Sequence, residues 1–165
     1  MRLVLPALAA LAAALLELSV APHFSLDGAH SHVVLVLGVI VTTVISRRAG
    51  LAWAFSGGLA LDVLAGRPIG STAFALVVVL GGAGLIVRSA PRFRLFATIA
   101  LVPICSALGW AVLLAVLDLL ATPVAVPSSE SLVAGLILDT ATAAAFAPLV
   151  LFIVDRRARV GHVYA

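Results

Sequence analysis

Lysine is absent from this chain, and all ten of its basic residues are arginine. A glycine-rich phosphate loop that ends in lysine is therefore excluded, and with it that class of nucleotide-binding enzyme. Cysteine occurs once, at Cys105, so no disulfide forms within the chain. Cys105 lies inside an apolar run and reads as a small buried hydrophobe. Charge is scarce as well: 10% of residues are charged and 64% are hydrophobic, which excludes an ordinary soluble domain. No Ser/His/Asp set falls at helical spacing, and no paired acids follow a catalytic pattern, so nothing points to an enzyme. No cofactor motif is present. The formal net charge of +3 does not signal nucleic-acid binding, because the arginines sit where a membrane protein needs anchors near anionic lipid headgroups.

Six apolar runs fill the sequence: Leu3–Ala21, His32–Ser46, Leu51–Gly66, Ser71–Val87, Leu95–Ala121 and Leu132–Val154. A spanning helix needs about 20 residues to cross roughly 30 Å of hydrocarbon. The arginines alternate between the gaps. Arg2, Arg47, Arg48, Arg88, Arg92, Arg94, Arg156, Arg157 and Arg159 fall on one side, and only Arg67 falls on the other. The positive-inside rule then predicts an all-α polytopic membrane protein of six transmembrane helices with both termini cytoplasmic. No connecting segment is long enough to fold separately, so residues 1–165 form a single integral membrane domain. The second and third runs are short for spans, and Pro103 is expected to kink the fifth. Ser19-Val20-Ala21 imitates a signal-peptide cleavage site, but the following Pro22 disfavours cutting, so the first helix is expected to be retained.

Acids inside spans cost about 2.5–3.5 kcal/mol each on insertion scales and are functional candidates by default. Four occur here: Glu17, Asp62, Asp118 and Asp139. The predicted topology puts all four in the outer half of the membrane, level with Arg67. Glu17, Asp62 and Asp118 each fall about 5–6 Å below the outer boundary, from their distance in residues to the helix ends. This suggests a polar region open to the outer face, with Arg67 paired to Asp62 or Asp118. The competing reading is that each acid reaches the headgroups or caps a helix end, and it suits Asp118 best.

The third run carries the sharpest local pattern. Gly50, Ala54, Gly58, Asp62, Gly66 and Gly70 recur every four residues. In a helix such a row lies on one face, and small residues there let another backbone approach closely. Asp62 is expected to accept hydrogen bonds from the neighbouring helix. In Gly66-Arg67-Pro68-Ile69-Gly70 the glycines permit a tight reversal and Pro68 stops the helix. Ser71 or Thr72 is expected to cap the next helix.

The pattern Phe55-x-x-Gly58-x-x-x-Asp62-x-x-x-Gly66-x-Pro68-Ile69-Gly70 resembles the signature of the MreD family, rod shape-determining membrane proteins of bacteria. The sharp likeness covers residues 51–80, and the remainder agrees in length, number of spans and topology. Glu17 suits the polar residue often found near the end of the first helix. Where family members often carry Pro-Asp before the second helix, this chain has Ala29-His30-Ser31-His32. The resemblance implies a non-enzymatic part of the cell-wall elongation machinery in the bacterial inner membrane. Its partners would be an MreC-like single-span protein, the elongation polymerase and transpeptidase, and membrane lipids. It also implies a fold similar to the substrate-binding subunits of energy-coupling-factor transporters. A small-molecule-binding subunit of a transporter is the alternative, motivated by the outward acids. The residues singled out for partner binding or a pocket are Gly58, Asp62, Gly66, Arg67, Pro68, Gly70, Glu17 and Asp139.

Two weaker features remain. His23, Asp27, His30 and His32 have ligand chemistry, but loop spacing fixes no geometry, and we assign no metal site. Thr122-Pro123 through Glu130 reads as an outer loop, with Ser128 or Ser129 capping the sixth helix and Glu130 favourable at its positive end.

Overall fold

The computed structural model describes residues 3–20, 31–87, 94–122 and 128–161. The described residues form six helices: α1 (Val4–Val20), α2 (Val33–Ile45), α3 (Arg47–Leu64), α4 (Ser71–Val87), α5 (Arg94–Leu119) and α6 (Ser129–Gly161). No strand occurs among them. Two stretches, Leu95–Leu119 and Ser129–Val154, are long and apolar enough to cross a membrane. The other helices are shorter or less apolar, so six full crossings are an expectation of the sequence pattern.

The fold is a row of helices, α1–α3–α4–α5–α6, wrapped around α2. The sequence explains why α2 takes the centre. It carries no charge, and Val34, Leu35, Val36, Gly38, Val39 and Ile40 are all buried. Its neighbours meet it with small residues: Ala10 and Ala14 of α1, Ala54 of α3, and Ala143 and Ala147 of α6 are fully enclosed. Large aliphatics point outward instead, with Leu5 71% and Ile137 64% exposed. Small residues inside and bulky ones outside is the arrangement of helices packed in lipid, where close backbone approach replaces hydrophobic exclusion.

Local chemistry sets the boundaries. The last turn of α2 widens to π geometry over Val41–Ile45, closed by Ser46 N–H donating to the Val41 carbonyl at 3.2 Å. Thr42 and Thr43 return their hydroxyls to the Gly38 and Val39 carbonyls. Ser46 is the whole connection to α3. Its backbone is extended and its Oγ accepts from Ala49 N–H, so α3 begins at Arg47, four residues before the apolar run. Likewise α6 begins early, because Ser128 Oγ accepts from Ser131 N–H. It continues to Gly161, and both α5 and α6 run through internal prolines, Pro103 and Pro148.

Candidate functional site

One end of the bundle gathers the buried acids. There α1 and α3 finish and α2 and α4 begin. Asp62 and Asp139 have no exposed surface, and Glu17 is 8% exposed. A buried carboxylate is tolerable only when its oxygens are well supplied with donors. The donors here come from helix N-termini, whose first amides have no partner within their own helix and carry partial positive charge.

Asp62 closes the α3–α4 turn from both sides. Its own carbonyl accepts from Arg67 N–H at 2.9 Å, with Gly66 between them at φ +64°, so α3 ends in a left-handed cap that glycine adopts freely. Its carboxylate reaches forward to the start of α4. It accepts from Gly70 N–H at 2.8 Å, from Thr72 N–H at 2.9 Å and from Ser71 Oγ at 3.0 Å. The cap on α4 is therefore Asp62 and not Ser71 or Thr72. Ser71 serves as a donor to it, and Thr72 Oγ1 is buried with no hydrogen-bond partner. Gly58, one turn earlier, lies so close to α4 that a Cβ there would fall 2.6 Å from Ala73 N. The small-residue row thus serves contact within the chain. Gly58 and Ala54 pack inside, and a Cβ on Gly50 would run into Thr42 of α2.

Glu17 and Asp139 do the same for α2. Glu17 Oε2 accepts from Val34 N–H at 2.7 Å. Asp139 Oδ1 accepts from His32 N–H at 2.7 Å and from Ser31 Oγ at 2.9 Å. Its Oδ2 takes Ser106 Oγ of α5 and lies 3.0 Å from His32 Nδ1. The other face of the imidazole meets α5, where Trp110 Nε1–H donates to His32 Nε2 at 3.1 Å and the rings stand edge to face, 5.6 Å between centroids. Trp53 of α3 adds a bond to the Val34 carbonyl at 2.9 Å.

The eight residues singled out by sequence thus fall into three groups. Asp62, Gly66, Gly70 and Pro68 build the α3–α4 turn, with Gly58 packed beneath it. Glu17 and Asp139 meet at the start of α2. Arg67 stands apart: its side chain is exposed, and it pairs with neither Asp62 nor Asp118. The expected ion pair is therefore corrected, for a physical reason: backbone amides and Ser71 already occupy Asp62. Asp118 is exposed at the end of α5. The one ion-pair contact among the described residues is His32 with Asp139.

Ser31, Ser106, Trp110 and Thr142, which surround the α2 start, were missed by sequence reasoning. Two signals were available. His32 directly precedes an apolar run, which is where a helix N-terminus falls. Ser106 and Trp110 are four apart and so share a face of α5. Of the histidine-rich loop, His23, Asp27 and His30 lie outside the described residues. His32 has both ring nitrogens engaged, and no cluster of three or more His, Cys, Asp or Glu with ligand geometry occurs among the described residues.

Comparison with known proteins agrees with the motif. The family model for the rod shape-determining protein MreD matches residues 1–155 of the 165-residue chain. No curated protein and no solved structure matches it.

Proposed function

The chain belongs to the MreD family of rod shape-determining membrane proteins, and on that premise we propose that it is a non-enzymatic scaffold of the cell-wall elongation machinery. It sits in the bacterial inner membrane with six crossings and cytoplasmic termini, as the arginine distribution favours. It holds an MreC-like single-span protein and through it regulates the elongation polymerase and transpeptidase. The single observation that carries this reading is the family match across nearly the full chain.

The polar groups support a structural role over chemistry. Each buried acid receives amide or hydroxyl donors that fix a helix start. The turn residues Gly66, Arg67, Pro68 and Gly70 shape the bundle end that the topology turns outward, where a partner's outer domain is accessible. Gly58, Asp62, Glu17 and Asp139 act on that surface from within, by fixing the helices beneath it. The transporter-subunit alternative was motivated by the outward cluster of Glu17, Asp62, Asp139 and Arg67. The engagement of its acids as caps lends it no support.

Depletion of the protein in a rod-shaped host tests the reading. Cells are expected to widen and round as new wall material loses its lateral pattern. Normal shape together with lost uptake of a small nutrient would overturn it.

A further inference from the structure

The contacts around His32 fix its protonation. An indole N–H only donates, so His32 Nε2, 3.1 Å from Trp110 Nε1, must accept. A neutral imidazole has one donor and one acceptor nitrogen, so the proton is on Nδ1, which donates to Asp139 Oδ2 at 3.0 Å. Asp139 in turn takes donors from Ser31, Ser106, the His32 amide and the His32 ring. That fills about four lone-pair sites and suits an ionised carboxylate. The imidazole therefore bridges α6, through Asp139, to α5, through Trp110, at the first residue before α2.

We infer that His32 is a proton-sensitive latch between the central helix α2 and the Trp110 face of α5. A second proton would go to Nε2, setting an N–H against the indole N–H with no acceptor between them. The Trp110 bond then breaks, while the bond to Asp139 gains charge assistance and persists. Histidine changes charge between about pH 5 and 8, the range an outer compartment traverses. The His32 side chain is 23% exposed while Asp139 beside it is fully enclosed, so of the pair the ring is the group open to the surface.

Among the described residues, the charged groups acting on it are Asp139 from α6, Glu17 from α1 and Arg67 from the α3–α4 turn. From α5 come the neutral Ser106 and Trp110, and α4 carries no charged residue. Burial and Arg67 oppose the second proton, and the two acids favour it. The latch stands on its own geometry and does not depend on which partner the protein holds.

The chain has two tryptophans, so fluorescence tests the inference directly. In Trp53→Phe protein in lipid nanodiscs, only Trp110 emits. Lowering the pH from 8 to 5 is expected to quench and red-shift that emission along a one-proton curve, since an imidazolium quenches indole and the freed N–H turns to water. His32→Gln should abolish the curve. The reciprocal Trp110→Phe protein should be flat, because Trp53 bonds a backbone carbonyl that does not titrate. Flat Trp110 emission, or the same curve in all three proteins, would overturn the latch. Should His32→Gln not fold, nitrogen NMR of labelled histidine, with His23, His30 and His162 replaced by glutamine, reads the ring itself. The Nδ1–H tautomer at pH 8 is expected, and an Nε2–H tautomer there would overturn the inference.

Discussion

Replacing Asp62 with alanine removes the acceptor for the start of α4, where the Thr72 amide is buried and the Gly70 amide half-buried. Asp62 has no exposed surface, and Gly70 N–H at 2.8 Å and Thr72 N–H at 2.9 Å both lose their partner. At an exposed helix start, losing a cap costs about 0.5–2 kcal/mol, because solvent substitutes. Here the buried Thr72 N–H is orphaned at about 1–3 kcal/mol, and the half-buried Gly70 N–H loses its cap at about 0.5–2 kcal/mol. The expected loss is therefore about 2–5 kcal/mol, or a fall in Tm of roughly 10 °C at about 2–4 °C per kcal/mol for a chain of this size. Asp62→Asn keeps one acceptor oxygen and should lose roughly half as much. Asp118→Ala, at an exposed position, should stay within about 0.5 kcal/mol of the parent. Thermal unfolding in mild detergent, followed by helical circular dichroism, ranks the three. If Asp62→Ala melts with Asp118→Ala, the capping argument is refuted.

Other substitutions probe the same structure. Gly58→Ala should destabilise by about 1–3 kcal/mol by overpacking against the α4 backbone, whereas Gly82→Ala, with open space around it, should be neutral or slightly stabilising; the same melts compare them. Gly66→Ala meets no neighbour within 4 Å, so its cost should be the positive φ alone, about 1 kcal/mol, with Gly66→Asn milder. Ser106→Ala removes one of the donors to Asp139 and should cost about 1.5–3 kcal/mol, read as faster proteolysis of α5 in detergent.

The helices were legible because hydropathy reports them directly: the run Ser71–Val87 is α4 to the residue. The early start of α6 was legible from its capping serines, and Ser128 is the one that caps, whereas the early start of α3 was not, since Arg47 and Arg48 are polar and only the Ser46 cap reveals it. At the bundle end, Asp62 was legible because glycines at a four-residue period marked its face. That it caps α4 was not, because Ser71 and Thr72 satisfy the local capping rule equally well in sequence. Asp139 could be flagged for its cost in an apolar run, but its partners Ser31, His32 and Ser106 lie 108, 107 and 33 residues away along the chain. Such pairings follow from the packing of α2 against α5 and α6, which periodicity does not encode. Arg67 shows the opposite error: matching depth and opposite charge suggested a pair, yet amide donors at the α4 start already held Asp62.

The most direct test of the scaffold reading is affinity purification of the tagged protein from its own membranes in mild detergent, with mass spectrometry of what remains bound. Recovery of an MreC-like single-span protein with the elongation synthases is predicted, and should weaken for Asp62→Ala more than for Asp118→Ala. Recovery of paired ATPases with a transmembrane coupling subunit, and no wall-synthesis protein, would contradict it.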